Sequence, residues 1–255
     1  LVRDMFDLEV FGFLDNVEKY NKRGITKRGV LLHGRPGTGK TTLGRIICNY
    51  AKKHSVIWCT PDMIVENNAN KMSIKLLYEL ADFIGPCVML LEDLDLFTED
   101  RDAQQGNMTL GALMNILDGV NSILNIVTVA TTNRIELIEK ALSNRPGRFD
   151  VIGEIDTMEK PQREKFFKDR LSDCEMGENA IDVLVDKTDD WTPAMCNAFV
   201  ESLNLYFIRK GDDVPRFVDR EIVDEIIEFR NKFTLKGSKK GKGGGVGFLA
   251  EVGHK

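Results

Sequence analysis

Nothing in this chain approaches the roughly 18 consecutive apolar residues that a membrane-spanning helix needs, so no membrane segment is expected within it. No secretory signal, with its basic start and apolar centre, is visible. No Cys-x-x-Cys pair joins any of the five cysteines, Cys48, Cys59, Cys87, Cys174 and Cys196. Four of them lie within apolar or helical patterns and read as reduced, mostly buried thiols, so a reducing, cytoplasmic setting is the expectation. There is no excess of positive charge: the formal net charge of −5 argues against a chain devoted to nucleic-acid phosphates. No internal repeat is apparent. The chain begins at Leu1 rather than Met, so an anchor or further domain outside it stays open. What is present is ordinary for a globular protein: 42% hydrophobic and 29% charged residues over 255 positions, enough for one large domain or a main domain with a smaller companion.

The most informative stretch is Gly34-Arg35-Pro36-Gly37-Thr38-Gly39-Lys40-Thr41, which fits G-x-x-x-x-G-K-[ST]. The apolar Gly29-Val30-Leu31-Leu32 before it reads as a buried strand. Thr42-Leu43-Gly44-Arg45-Ile46-Ile47 after it has helical apolar spacing. Glycines let several backbone N–H groups face one anion, the helix N-terminus adds partial positive charge, and Lys40 adds a full one. The Thr41 hydroxyl suits Mg²⁺. Strand, loop and helix together predict a nucleoside triphosphate site.

Short apolar runs at Gly29–Leu32, Ser55–Cys59, Cys87–Leu91, Ile126–Ala130 and Val151–Ile155 alternate with helical patterns at Lys40–Lys53, Asn70–Phe83 and Leu110–Leu117. Continuous hydrophobicity in the strands indicates burial on both faces, hence an α/β fold with a mostly parallel sheet between helices. From Pro161 only helices are expected: Gln162–Leu171, Ala180–Lys187, Pro193–Arg209 and Arg220–Phe233. The chain therefore divides into a linker segment at 1–28, an α/β nucleotide-binding domain at 29–158, a smaller all-helical lid at 159–235, and a flexible Lys/Gly-rich tail at 236–255. No internal surface could be buried by that tail.

Three further constellations carry chemistry. Cys87-Val88-Met89-Leu90-Leu91-Glu92-Asp93 ends a buried strand in two carboxylates, at the sheet edge where the phosphate loop lies. One can hold Mg²⁺ through its water shell, the other can polarise the attacking water, and Asp95 is a candidate third acid. Thr131-Thr132-Asn133-Arg134 follows the strand Ile126–Ala130; its asparagine is placed to hydrogen-bond a γ-phosphate or that water, or else to cap a helix. Asn144-Arg145-Pro146-Gly147-Arg148-Phe149-Asp150 carries two arginines on a turn, suited to reaching outward to a phosphate or to solvent.

These residues, with Leu113-Met114-Asn115-Ile116-Leu117-Asp118-Gly119-Val120, resemble the AAA ATPases over about residues 10–233. The resemblance implies a P-loop NTPase sheet of five parallel strands in order 5-1-4-3-2, ATP and Mg²⁺ as cofactors, and a homo-oligomeric ring, six subunits being the family default. It implies Gly34, Arg35, Pro36, Gly37, Thr38, Gly39, Lys40, Thr41 and Thr42 around the phosphates, with Thr192 and Ala194 from the lid. Thr41 and Glu92 are the implied metal residues, and Asp93 the base. Asn133 is the implied γ-phosphate sensor, and Arg145 and Arg148 the fingers inserted into a neighbour's site.

Departures from the common pattern matter. The acidic pair reads Glu92-Asp93 where Asp-Glu is usual, and the lid helix opens Thr192-Pro193-Ala194. Both variants are similar to the branch of the mitochondrial translocase that inserts the Rieske protein. Thr60–Ala69, where a substrate-gripping aromatic is usual, has none; Met63, Ile64 and Val65 are either weak grips or core. A protein client is the favoured reading. The alternatives are a slow nucleotide-gated assembly module, or a nucleic-acid-remodelling motor or clamp loader supported by the lysine-rich tail.

Overall fold

The computed structural model describes residues 2–51, 53–64, 73–97, 103–118, 124–142, 148–211 and 215–233. By chain contacts the molecule divides into two compact units, Leu1–Glu159 with Asp190–Cys196, and Lys160–Asp189 with Asn197–Lys255. The segment Asp190–Cys196, inside the range read from sequence as lid, belongs to the first unit.

In the first unit, helices α1 (Val2–Phe6), α2 (Gly12–Asp15) and α3 (Val17–Asn21) precede β1 (Lys27–His33), with a π-helical turn at Asp7–Phe11. Then come α4 (Lys40–Tyr50), β2 (Ser55–Cys59), α5 (Ile74–Ile84), β3 (Cys87–Leu91), α6 (Ala103–Leu117), β4 (Ile126–Thr132), α7 (Ile135–Leu142) and β5 (Val151–Glu154). The strands form one sheet in the order β2-β3-β4-β1-β5, with every neighbouring pair parallel. That is the order 5-1-4-3-2 expected from the resemblance.

Side chains alternate across a strand, so a continuous apolar run serves two cores. Val30, Leu32, Val88, Leu90, Val127 and Val129 face one side, where they meet Ile47 of α4 and Phe6, Val10, Phe13 and Leu14 of the N-terminal helices. Leu31, Met89, Leu91 and Ala130 face the other, against Ile74, Leu77, Tyr78 and Ala81 of α5 and Leu113, Met114 and Leu117 of α6. The N-terminal stretch expected as a linker is therefore helical through most of its length and supplies part of one core. Val10 is fully buried there. Val10→Ala is expected to lower the stability of the chain by about 2 kcal/mol, from lost transfer energy plus a small cavity. A urea midpoint unchanged from wild type would show that the segment only rests on the sheet.

The second unit contains α8 (Lys160–Arg170), α9 (Ala180–Lys187) and α11 (Arg220–Phe233), and most of α10 (Pro193–Lys210), whose first turn belongs to the first unit. Its core includes Phe167, Leu171, Leu184, Phe199, Leu203 and Val223, with the Phe167 and Phe199 rings edge to face at 6.0 Å. Besides helices it holds a short parallel pair, β6 (Glu175–Met176) and β7 (Phe217–Val218). Two-residue strands leave no periodic signature in a sequence. The tail 236–255 lies outside the described residues.

Candidate nucleotide site

The buried run of β1 ends at His33, and the chain must turn at once. Gly34 turns with φ +151°, where a Cβ would collide with the Ile155 carbonyl, because the exit of β5 is bonded alongside: Ile155 N–H donates to His33 O at 2.7 Å. Gly37 has φ +82°, and a Cβ there would stand 3.0 Å from the Ala194 Cβ and 3.1 Å from Thr192 Oγ1. The Ala194 N–H donates to Gly37 O at 3.1 Å, so the segment 190–196 covers one side of the loop. Thr192 is buried, and its hydroxyl accepts from the Met195 N–H at 3.3 Å, capping α10 with Pro193 as first helical residue.

Lys40 opens α4 and is only 6% exposed. Its Nζ donates to Gly34 O at 2.7 Å and Arg35 O at 2.9 Å, and Thr38 Oγ1 donates to Arg35 O at 2.8 Å. Burial pulls the Lys40 pKa down, while Asp93 and Asp95 pull it up. Thr41 and Thr42 are exposed on the first turn of α4. The loop thus holds its cation ready over its own carbonyls, within a ring of peptide dipoles.

The two central strands end unequally, and that inequality builds the second half of the site. Leu91 of β3 pairs with Ala130 of β4, after which β4 runs on through Thr131 and Thr132. Asp93 N–H donates to Thr131 Oγ1 at 3.0 Å, and Asn133 Nδ2 donates to Asp93 Oδ1 at 3.0 Å. Asp93 sits at φ +49°, a left-handed conformation that Asp and Asn tolerate best among side-chain-bearing residues. Burial, then the charges of Asp95 and Glu92, push its pKa up; Lys40 and the Asn133 hydrogen bond oppose them. Asp95 is buried and accepts from Thr132 Oγ1 at 2.8 Å and from Asn133 N–H at 3.0 Å. It thereby fixes the backbone that presents Asn133, a role the sequence signalled only as a third nearby acid. Glu92 Oε1 is buried and has no hydrogen-bond partner among the described residues. A cavity of about 10 Å³ beside it is lined by Lys40, Trp58 and Thr131 among others, roughly one water's room.

Arg148 stands elsewhere. Instead of reaching outward, its guanidinium grips Asp118 just past α6, Nε to Oδ1 at 2.9 Å and Nη2 to Oδ2 at 3.1 Å, with the arginine side chain 9% exposed. Motif reading supplies the cation but not a carboxylate thirty residues away that matches its fork. Arg145 and Pro146 lie outside the described residues. Of the residues Met63, Ile64 and Val65, Ile64 is core at 2% exposure and Met63 is surface at 53%; Val65 lies outside the described residues.

Comparison with known proteins decides the family. The sequence model of the "ATPase family associated with various cellular activities (AAA)" matches residues 30–157, half of the chain. The chain belongs to the AAA family of ATPases. The AAA match runs from Val30 within β1 through β5, with the loop, Glu92-Asp93 and Asn133 inside it, and makes ATP the nucleotide. An ATP-dependent zinc metalloprotease FtsH from Clostridium perfringens is 32% identical over 87% of this chain and 31% of its own length. A cell division cycle protein 48 homologue from Archaeoglobus fulgidus is 26% identical over 89% of this chain and 31% of its length. A proteasome-activating nucleotidase from Methanopyrus kandleri is 29% identical over 84% of this chain and 51% of its length. The chain thus spans about a third of the first two of these AAA relatives. Among the described residues, no cluster of three or more His, Cys, Asp and Glu side chains could by itself hold a metal ion, and no helix is long and apolar enough to cross a membrane.

Proposed function

We propose that this AAA chain hydrolyses ATP, with Mg²⁺, as one subunit of a homo-oligomeric ring, and that turnover remodels or translocates a protein client. The observation that carries the ring is the position of Arg148. Its backbone packs on β1 at Gly29, where a Cβ would lie 2.8 Å from the Arg148 carbonyl. From Gly29 to Gly34 the chain advances roughly 16 Å, at about 3.3 Å per residue. An arginine packed at Gly29, near the start of β1, is far from a phosphate held beyond the strand's exit, which supports a neighbouring subunit's γ-phosphate as its target. On assembly the Asp118 pair opens and frees the fork, and Arg145 is assigned beside it.

Within one subunit, Lys40 takes the β- and γ-phosphates, and the loop from Gly34 to Thr42 surrounds them. Asp93 accepts the proton of the attacking water, and Asn133 holds Asp93 and senses the γ-phosphate. The residues fit Mg²⁺: Glu92 offers a buried carboxylate oxygen with no partner among the described residues, and Thr41 an exposed hydroxyl at the helix start, the few oxygen ligands that a hydrated Mg²⁺ on phosphates uses. When bound, Mg²⁺ neutralises charge on the phosphate oxygens. Glu92-Asp93 and Thr192-Pro193-Ala194 support kinship with the Rieske-translocase branch. The acidic net charge of −5 favours a protein client over nucleic acid.

Assembly is testable by concentration. Specific ATPase activity is expected to rise as the protein is concentrated, in step with the mass of the oligomer. A specific activity flat across that range would remove the ring, and uniformly slow turnover would favour a nucleotide-gated assembly module. Mixing Arg148→Ala with Asp93→Asn chains is expected to give more hydrolysis than the two apart, since hybrid interfaces join one intact site to one intact arginine. A mixture no better than its components would place Arg148 outside the neighbour's site.

A further inference from the structure

Arg35 lies inside the phosphate loop, yet its side chain is committed to residues outside it. Nη1 donates to Asp190 Oδ2 at 3.1 Å and Nη2 to Asp190 Oδ1 at 2.7 Å, a bidentate pair. The same Nη2 also donates to Asp156 Oδ1 at 3.2 Å and Thr157 Oγ1 at 3.3 Å. The Asp156 carboxylate is held by its own turn, where the Thr157 N–H donates to Asp156 Oδ1 at 2.7 Å, and the Asp190 backbone is left-handed at φ +62°. The other end of the residue faces inward: the Arg35 carbonyl accepts from Lys40 Nζ and from Thr38 Oγ1. Asp156 comes just before the chain leaves the first unit after Glu159, and Asp190 is the residue at which it returns. One loop residue therefore joins the phosphate-binding lysine, through its carbonyl, to both of these connections, through its guanidinium.

An isolated exposed ion pair contributes little, because solvent screens it and two side chains must be ordered. Here one planar fork meets two carboxylates and a hydroxyl, one of the carboxylates already oriented by a backbone N–H, so less is lost on ordering it. We propose that Arg35 is a positioning residue, holding the loop by charge in the shape that ATP binds, with Asp190 and Asp156 as its anchors. The proposal rests on ATP occupying this loop. It separates Arg35 from the phosphate contacts among which its place in the motif would put it: the backbone of residue 35 belongs to the loop, and its charge points to the anchors.

The test is binding of a fluorescent ATP analogue with Mg²⁺ to the full chain, followed at equilibrium and by stopped flow. Arg35→Met keeps the side-chain stem and removes the charge. It is expected to weaken binding about three- to tenfold through faster dissociation, the scale of a surface ion-pair network. Added KCl should speed dissociation more steeply from the wild type than from Arg35→Met, because only the salt dependence of the nucleotide contacts themselves remains in the variant. In hydrolysis assays KM should move more than kcat. Arg35→Asp combined with Asp190→Arg should bind better than Arg35→Asp alone. Without nucleotide, Asp190→Asn and Asp156→Asn should each speed hydrogen exchange over residues 34–40. Arg35→Met with wild-type rates and salt response would overturn the proposal, as would a charge swap no better than the single reversal. Should the reversed chains fail to fold, unchanged exchange in the two asparagine variants overturns it instead. A wild-type chain that binds no ATP would overturn the nucleotide site itself, a different outcome.

Discussion

Asp93→Asn is expected to bind ATP as the wild type does and to hydrolyse it roughly 10²- to 10⁴-fold more slowly, the usual contribution of a general base. The substitution suits the site in every respect but one. Asparagine accepts the left-handed backbone at φ +49° almost as readily as aspartate, so the turn after β3 keeps its shape. Its carbonyl oxygen can still accept from Asn133 Nδ2, and its backbone N–H can still donate to Thr131 Oγ1. What disappears is the oxygen able to take a proton. The raised pKa of Asp93, caused first by burial, makes that oxygen a stronger base than an ordinary carboxylate. The measurement is a pair: ATP affinity by titration, and phosphate release at saturating ATP. Full turnover in Asp93→Asn would move the base to Glu92 or to a residue outside this chain. Asp93→Glu, by contrast, is not expected to behave as an improvement. A longer acid at a left-handed position has lost the conformational tolerance of Asp, and its carboxylate would leave the reach of Asn133.

How much of this was legible beforehand follows from what each element depends on. The central strands β1, β3 and β4 declared themselves as apolar runs because they are buried on both faces, and Val30, Leu31 and Leu32 show it by serving opposite cores in turn, whereas the edge strands β2 and β5 are only partly covered. The loop and Glu92-Asp93 were legible because each is a local pattern attached to a strand end. The N-terminal helices were not: Phe6, Val10, Phe13 and Leu14 carry helical spacing and share one core, but no sequence pattern shows that β1, β3 and β4 wait for them. Helix α7 leaves a weak signature, because its eight residues begin just after the polar stretch ending in Asn133-Arg134. Asp95 was seen as an acid, while its bonds to Thr132 and Asn133 arise only when β4 outruns β3 by two residues. Arg148 illustrates the same limit. Its chemistry is local, but its partner Asp118 is set by packing.

Lys40→Met is expected to lower ATP affinity by about two orders of magnitude or more, from the loss of charge-assisted bonds of about 1.5–3 kcal/mol each. Methionine is preferred to alanine because the Lys40 stem is itself packed, in a cavity wall shared with Leu32, Trp58 and Val129, and its volume should be kept. The nucleotide-free fold should survive. Burial already works against the charged form of Lys40, so removing the charge relieves a desolvation cost even as Gly34 O and Arg35 O lose a donor. Thermal melting separates the two effects. Without nucleotide, the variant should melt close to the wild type. With Mg²⁺ and ATP, the wild type should gain stability in proportion to the logarithm of ligand over Kd, and the variant should gain almost none. A variant that melts normally and still gains the wild-type increment would show that the loop peptides alone hold the triphosphate. A variant that gains nothing, beside an Asp93→Asn chain that gains fully, would assign binding to the loop and hydrolysis to the strand ends.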